Sequence, residues 1–467
     1  MKKRMIETKL QQLSGPGTLR FHMPGHKGRS VNGVKDWTAL DYTEVPGADN
    51  LHAPETIILE AQQKLASIYG SGESSILVGG TTAGIQCAIM GACGEGESLL
   101  VPVNCHRSVY AGLALGRING VYFEPEYDSE MGFGKSIDPE RVEELIKMHP
   151  EVRGLIMVNP TYYGTTSDLE KIAEILHRSD KILMVDEAHG AHLRFCEGLP
   201  VDGVTAGADV VIQSTHKLLG SFTQSALLHM QGDRIDRRRV KKFLSLLQSS
   251  SPSYPLMMSV ENAVDQAAEV GGRIFGEIAG KWDRRVAENN PRDCITLYSP
   301  KDSGSYDKSK WLFWVKNDRG VAVEKQLLGE FNIQCELSAK NHVLAMTGIG
   351  TEMADLDRLI AAIGELNRRY GQCPGSKVLS APGGFTYLEK YPLWQALYNM
   401  EAETILLEEA VGKAAADFII PYPPGIPALL PGSLITEETI TRLTALRENG
   451  EVVMGLGENG EVAVVRE

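Results

Sequence analysis

Ile182-Leu183-Met184-Val185-Asp186-Glu187-Ala188-His189-Gly190 carries four apolar residues straight into a carboxylate, a histidine and a glycine. A second run, Ala208-Asp209-Val210-Val211-Ile212, ends on Gln213-Ser214-Thr215-His216-Lys217, and a third, Ser225-Ala226-Leu227-Leu228, follows closely. Short apolar runs bounded by polar residues and glycine read as buried strands of a parallel sheet. Ligands bind such sheets at the carboxyl ends of the strands. Here those ends carry an acid, two histidines and a lysine. An aspartate at one strand end and a lysine at the next point to pyridoxal phosphate (PLP). That cofactor needs a lysine for its Schiff base and a carboxylate to keep the pyridine nitrogen protonated. A blander reading of the spacing makes Lys217 an exposed loop lysine and Asp186 a cap.

Upstream, helices and strands alternate. A helix is predicted over 54–69 and a strand over 75–78. Gly79-Gly80-Thr81-Thr82-Ala83-Gly84 then turns into an apolar helix through Met90. Glycines and hydroxyls at such a turn offer free N–H groups and the positive end of a helix dipole to a phosphate. A plain tight turn explains them equally well. The strand over 98–103 ends at Asn104-Cys105-His106, where a ring can cap a helix or stack on a planar cofactor. Strands over 121–123 and 154–158 and helices from Pro139 and Ser167-Asp168 continue the alternation. This order specifies an α/β fold with helices on both faces of a mainly parallel sheet.

Downstream, 233–242 is densely basic and 248–255 is a hydroxyl-rich loop able to bind phosphate. A long helix is expected over 260–289, with a domain boundary at Asn290-Pro291. The remainder reads as α+β: strands over 311–315 and 342–346, helices over 322–331 and 353–370, and a linker over 372–384. A mainly helical stretch follows over 404–416, then a helix capped by Thr436, and a tail hairpin around Asn459-Gly460. The expected division is an N-terminal arm over 1–50, a PLP-binding large domain over 51–290 and a C-terminal α+β region over 291–467. Within the arm, residues 1–14 have a helical period. His22 and His26 have the spacing of a metal pair on a helix, but Pro24-Gly25 between them breaks that helix.

Composition sets the outer limits. The 467 residues contain 60 acids against 47 bases, a net charge of -13. An acidic surface argues against nucleic acid and anionic membranes. Met1-Lys2-Lys3-Arg4-Met5 is basic, but no apolar segment follows, and no run approaches the roughly 20 apolar residues of a membrane span. The seven cysteines are scattered without a CxxC pair, which reads as a cytoplasmic protein with free thiols.

Two rival chemistries use the same residues. Asp186-Glu187-Ala188-His189 spells a helicase box, with Gly134-Lys135-Ser136 upstream. The phosphate loop, however, needs glycine where Ser129 stands, and it should follow a buried strand rather than the polar 124–128. His189 and His192 beside Asp186 could ligate a metal. That reading leaves Lys217 unexplained, and a lysine at a buried strand end is costly unless paired or used chemically.

Ser214-Thr215-His216-Lys217 resembles the Ser-x-His-Lys motif of fold-type-I PLP enzymes. More narrowly, the chain is similar to the ornithine/lysine/arginine decarboxylase family. The matching pieces include Phe21-His22-Met23-Pro24-Gly25-His26-Lys27-Gly28, Asp49-Asn50-Leu51-His52, Gly80-Thr81-Thr82 and Asn159-Pro160-Thr161-Tyr162-Tyr163-Gly164. They continue through Val185 to Gly190, Gln248 to Pro255 and Tyr422-Pro423-Pro424-Gly425-Ile426-Pro427. The resemblance implies an aspartate-aminotransferase-like large domain and no metal. It makes Lys217 the Schiff-base lysine, Asp186 the partner of the pyridine nitrogen, and His106 the ring that stacks on the cofactor. Thr81, Thr82, Ser214 and His216 would hold the phosphate, with Ala188 and His189 beside the ring and its phenolic oxygen. Ser251 or Ser253 would reach the phosphate of a neighbouring subunit.

The implied reaction is decarboxylation of arginine, lysine or ornithine to a polyamine precursor, with Lys217 or His216 returning a proton to the α-carbon. Large bacterial members carry an N-terminal wing domain; a start so near the Phe21 motif implies a homodimer or dimer of dimers. Pro431-Gly432-Ser433 stands where many members have Pro-Gly-Glu, leaving Glu44, Asp49 and Glu336 as candidates for the substrate's distal cation. The alternative within PLP chemistry is an aminotransferase, gripping the α-carboxylate with an arginine such as Arg358, Arg368 or Arg369.

Overall fold

The computed structural model describes residues 17–27, 29, 40–128, 131–300, 306–373, 385, 387–422, 425–448 and 452–466. The expected helix over 1–14 and nearly all of the 372–384 linker lie outside them. Strand β1 (Leu19–Phe21) precedes a central sheet of β2 (Glu73–Leu77), β3 (Ser98–Pro102), β4 (Asn119–Phe123), β5 (Gly154–Val158), β6 (Ile182–Asp186), β7 (Val210–Gln213) and β8 (Ala226–Met230). Their order is β2-β8-β7-β6-β5-β3-β4. Each strand presents alternate residues to opposite faces. Leu99, Val101, Ile156, Ile182, Met184, Val210 and Ile212 pack with Ile85, Ile89, Val109 and Leu113 of the helices Gly80–Ala92 and Arg107–Gly116. Leu100, Leu155, Met157, Leu183, Val185 and Val211 pack on the other face, with Val142, Leu145, Ile172 and Leu176 of Pro139–Met148 and Leu169–Arg178. Burial on both faces is why these strands read as continuous apolar runs.

β8 departs from the parallel reading. It pairs antiparallel with both β7 and β2, so it alone runs against the other six. The helix between β7 and β8, Thr215–Leu218, has four residues and rises about 6 Å. A five-residue strand is about 17 Å long. The connection over 214–225 holds only this short helix rather than a helix that spans the sheet, and β8 returns in the opposite direction.

The expected long helix is one rod, Tyr254–Gln266 and Gly272–Ala287 joined by a π-helical turn at Ala267–Gly271. Beyond it come β9 (Ile295–Leu297), β10 (Lys310–Val315), β11 (Ile333–Cys335), β12 (Leu337–Ala339) and β13 (His342–Met346). Four of these form an antiparallel sheet, β12-β13-β10-β9. β11 instead takes β1 in parallel, Phe21 facing Cys335. The arm is thereby tied to the C-terminal half of the chain.

The last strands are β14 (Ala402–Leu406), β15 (Ile420–Tyr422), β16 (Val452–Met454) and β17 (Glu461–Val465). One expectation changes here. Residues 404–416 are not mainly helical: β14 pairs with β17, Ala402 facing Val465, and a single 3₁₀ turn follows at Leu407–Glu409. The tail turns back around Asn459-Gly460 as expected, the N–H of Gly457 donating to the carbonyl of Glu461 at 2.9 Å. Gly460 makes the turn with φ +88, but only Leu456 bridges back to Val462. β17's ladder goes to β14, a partner more than fifty residues away that periodicity cannot name. Thr436 caps Glu437–Glu448 as expected, its hydroxyl accepting from the N–H of Thr439 at 3.2 Å.

The cysteines also differ from the free-thiol reading. Cys294 and Cys373 form a disulfide with Cα atoms 5.1 Å apart, while the other five are buried and free. Among the described residues no helix is long and apolar enough to cross a membrane.

Candidate active site

The carboxyl ends of β2, β3, β6 and β7 open on a cavity of about 400 Å³. β6 delivers Asp186, 3 % exposed. Its Oδ1 accepts from the N–H of Ala188 at 3.1 Å. β7 runs through Ser214 into the short helix that carries His216 and Lys217. β3 leads to His106, the N-cap of Arg107–Gly116, whose Nδ1 accepts from the N–H of Ser108 at 3.2 Å. β2 leads to Gly79-Gly80 and the helix from Gly80, where a φ of +70 favours glycine. The Oγ1 of Thr81 lies 3.2 Å from the Oγ of Ser214. Thr81, Thr82, His106, Asp186, Ala188, His189, Ser214, His216 and Lys217 all line this one cavity.

Ser251 and Ser253 do not. Ser251 sits in an exposed loop, and the Oγ of Ser253 accepts from the N–H of Leu256 as the cap of the helix from Tyr254. Within one chain neither lines the cavity.

Electrostatics favour a cationic ring over Asp186. Burial pushes the Asp186 carboxyl upward, opposed by the charge of Lys217. A protonated pyridine nitrogen would supply the partner that a buried carboxylate requires. Burial, with Lys217 adding repulsion, lowers His106 to about 4, so its ring is neutral and free to stack. Burial likewise holds His216 near 4. Its Nδ1 lies 2.9 Å from the carbonyl oxygen of Ser225, which can only accept, so Nδ1 carries the proton and Nε2 keeps a lone pair. The residues present therefore fit PLP: a lysine, a buried carboxylate, a neutral ring, and a hydroxyl-lined helix start.

Several cavity residues escaped the sequence reading. Tyr162 lines the wall and its hydroxyl donates to Glu336 Oε1 at 2.6 Å. Glu336 Oε2 accepts from the N–H of Met23, another wall residue, at 2.9 Å. Tyr422 and Ile426 close the cavity from the C-terminal region, and the carbonyl of Gly425 accepts from the N–H of Arg107 at 3.3 Å. Lys310, fully buried, places Nζ 3.1 Å from His189 Nδ1. Its one sequence signal was a cation at the head of the apolar run Trp311-Leu312-Phe313-Trp314-Val315.

The three candidate acids separate. Burial opposes ionisation of Asp49, but the N–H groups of Glu55, Thr56, Asn50 and Ile58 overcome it and hold the carboxyl well below the usual range. Asp49 is thus a structural cap for the helix Ile57–Tyr69. Glu44 acts on Tyr254. Glu336 alone is bonded to cavity residues.

The rival readings lose their geometry. His189 contacts Lys217 and Lys310, whereas His192 pairs with Asp307 at 2.9 Å. Residues 135 and 136 pair with Glu126 in a turn, not around a phosphate. Arg368 and Arg369 pair with Glu365, and Arg358 reaches the carbonyl of Phe331. No arginine lines the cavity among the described residues.

Fold and site together define a PLP-dependent enzyme with the aspartate aminotransferase fold. The chain belongs to the Orn/Lys/Arg decarboxylase family: the family's major domain matches residues 7–285 and its C-terminal domain residues 388–458. An arginine decarboxylase of Bacillus subtilis is 32% identical, with 96% of this chain and 95% of that protein covered. An arginine decarboxylase of Halalkalibacterium halodurans is 34% identical over 92% and 90%. Among solved structures, lysine decarboxylase A from Pseudomonas aeruginosa superposes with a TM-score of 0.76 at 19% identity, covering 99% of this chain and 76% of that one.

Proposed function

We propose that this PLP-dependent decarboxylase takes arginine as its substrate and releases agmatine and CO₂. The reading rests on one observation: Lys217 and Asp186, delivered by adjacent strands, face a single cavity with His106. The arginine assignment draws on the relatives named above.

When bound, PLP supplies the electron sink that accepts the pair left by the departing carboxylate. Lys217 Nζ would hold the cofactor covalently. Asp186 would keep the pyridine nitrogen protonated, and its burial would make that charge pair strong. His106 would lie against the ring. Thr81, Thr82, Ser214 and His216 would bind the phosphate at the positive end of the Gly80–Ala92 helix. Ala188 and His189 would stand beside the ring and its phenolic oxygen. Lys217 Nζ, or His216 once its Nε2 has taken up a proton, would then return a proton to the substrate α-carbon.

Glu336, held by Tyr162 and the N–H of Met23, takes the distal guanidinium. In a homodimer, Ser251 or Ser253 would reach the phosphate of the neighbouring subunit, which gives a task to hydroxyls that do not line the cavity of their own chain. The arm over 1–50, the large domain over 51–290 and the region over 291–467 serve as the working division. A cytoplasmic location suits the five free thiols. An aminotransferase is disfavoured by the lack of a cavity-lining arginine among the described residues.

The test is an absorbance spectrum of the purified protein, then amino-acid addition with CO₂ detection. The expected result is a yellow band, lost in Lys217→Ala, that shifts with arginine as CO₂ is released. A band that shifts without CO₂ means transamination; a band that persists in Lys217→Ala removes the role given to Lys217.

A further inference from the structure

Lys310 has no task in the reaction just described, yet it is 0 % exposed beside the site. Its Nζ lies 3.1 Å from Nδ1 of His189, and Nε2 of the same ring lies 2.9 Å from Nζ of Lys217. The donor and acceptor inventory restricts this chain of three groups. An ammonium can only donate, and a neutral imidazole has one N–H and one lone pair. Both ends therefore cannot be ammonium at once. Burial, then Lys217 and Lys310, holds His189 well below its usual value, so the ring is neutral. If Lys310 carries the charge, it donates to Nδ1. The ring proton then sits on Nε2 and points at Lys217, whose amine must answer with a lone pair.

The surroundings place the charge on Lys310. Facing it are His189, Asp307, Lys217 and Glu336, with Lys27 further off. The backbone N–H of Lys310 donates to the Asp307 carbonyl at 3.0 Å. Burial disfavours the Asp307 carboxylate, but His192 and Lys310 outweigh that and hold it ionised. Burial draws Lys310 down to about 8, against the pull of Asp307, which leaves it cationic at neutral pH. Lys217 is faced by Asp186, Glu336, His189, His106 and His216. Glu336 acts on both lysines and decides nothing. Asp186 pulls toward the ammonium, but burial outweighs it and lowers the Lys217 amine even without a cofactor in place.

We propose that Lys310 is a positioning residue: its ammonium sets the His189 tautomer, and through it holds Lys217 as the free amine that attacks carbon. The inference rests on the proposed role of Lys217. In that attack on an aldehyde, the nitrogen lone pair forms the C–N bond, and the carbonyl oxygen leaves as water with both amine protons.

The experiment uses the full chain freed of cofactor and labelled with trace acetic anhydride across a pH range. Acetylation at Lys217 is read by mass spectrometry and follows the neutral amine. Lys310→Met should raise the pH midpoint by about one unit, a roughly tenfold loss of labelling below it. Lys310→Arg, which keeps the cation, should restore the wild-type midpoint. In a His189→Phe background, Lys310→Met should add nothing. An unmoved midpoint overturns the proposal, as does the same shift with or without His189, which would mean a direct field rather than a relay. Should Lys310→Met not fold, Lys310→Gln carries the same test. Borohydride reduction of the loaded wild type separates the two readings: cofactor trapped anywhere but Lys217 sinks the proposed function itself.

Discussion

The hydroxyl of Tyr162 donates to the carboxylate of Glu336 across 2.6 Å, linking the loop after β5 to the segment between β11 and β12 at the cavity wall. The second carboxylate oxygen takes the N–H of Met23 from the arm. Three distant stretches thus fix one acid. Glu336→Gln keeps the shape and removes the charge. It should raise KM for arginine by about 10- to 100-fold, the loss of roughly 1.5–3 kcal/mol for a charged hydrogen bond, with a smaller change in kcat. Steady-state kinetics decide this; an unchanged KM would move the distal subsite elsewhere.

Asp186 is the second test. It is buried at the end of β6 with a backbone N–H on one oxygen. Asp186→Asn preserves the shape but cannot keep the pyridine nitrogen protonated. The cofactor band should remain while kcat falls by about 10²–10³-fold. Near-normal turnover in this variant would remove the electron-sink role from Asp186.

Acid should destabilise the protein through its buried histidines. His229 is 1 % exposed, between Ser74 Oγ at 2.7 Å and Gln213 Oε1 at 3.2 Å. Burial lowers it to about 3, against about 6.5 in the unfolded chain. Between those values the unfolded state binds the extra proton. Stability is therefore full above pH 6.5 and falls as pH drops toward 3, by on the order of 5 kcal/mol for this residue. Denaturant melts should show His229→Gln losing stability less steeply from pH 7 to pH 4.5 than the wild type. Parallel slopes would contradict the assignment. The wild-type-minus-variant difference isolates this histidine from buried carboxyls such as Glu187, whose raised value acts with the opposite sign.

Gly25 tests how the arm holds the site. A Cβ there would stand 2.3 Å from the carbonyl oxygen of Leu219 and 2.5 Å from that of Leu218, immediately after Lys217. The N–H of Gly25 donates to the carbonyl of His216 at 2.9 Å. Backbone cannot yield as a side-chain end can. Gly25→Ala should displace the short helix carrying Lys217 and weaken cofactor retention by tenfold or more, about 1.4 kcal/mol. Dialysis followed by absorbance would measure it, and full retention would show that the arm yields instead.

The sequence by itself determined the order of strands and helices from Glu73 to Met230 and the placing of Asp186 and Lys217 at strand ends. Those are local properties: a strand buried on both faces writes its apolar run into consecutive residues, and a polar break marks where it leaves the sheet. Gly79-Gly80 and His106 were legible for the same reason, as the first residues after such runs. Tertiary structure alone decided the rest. The direction of β8 appears only in its antiparallel ladders to β7 and β2, and the pairing of β14 with β17 joins segments that carry no mark of each other. Asp49 and Glu336 look alike as acids in loops, yet four backbone N–H groups consume one and the cavity wall takes the other. Lys310 lies 121 positions from His189, and its strand reads as ordinary core. Its meaning comes from which groups share a desolvated space, and that is set by packing between segments remote in the chain.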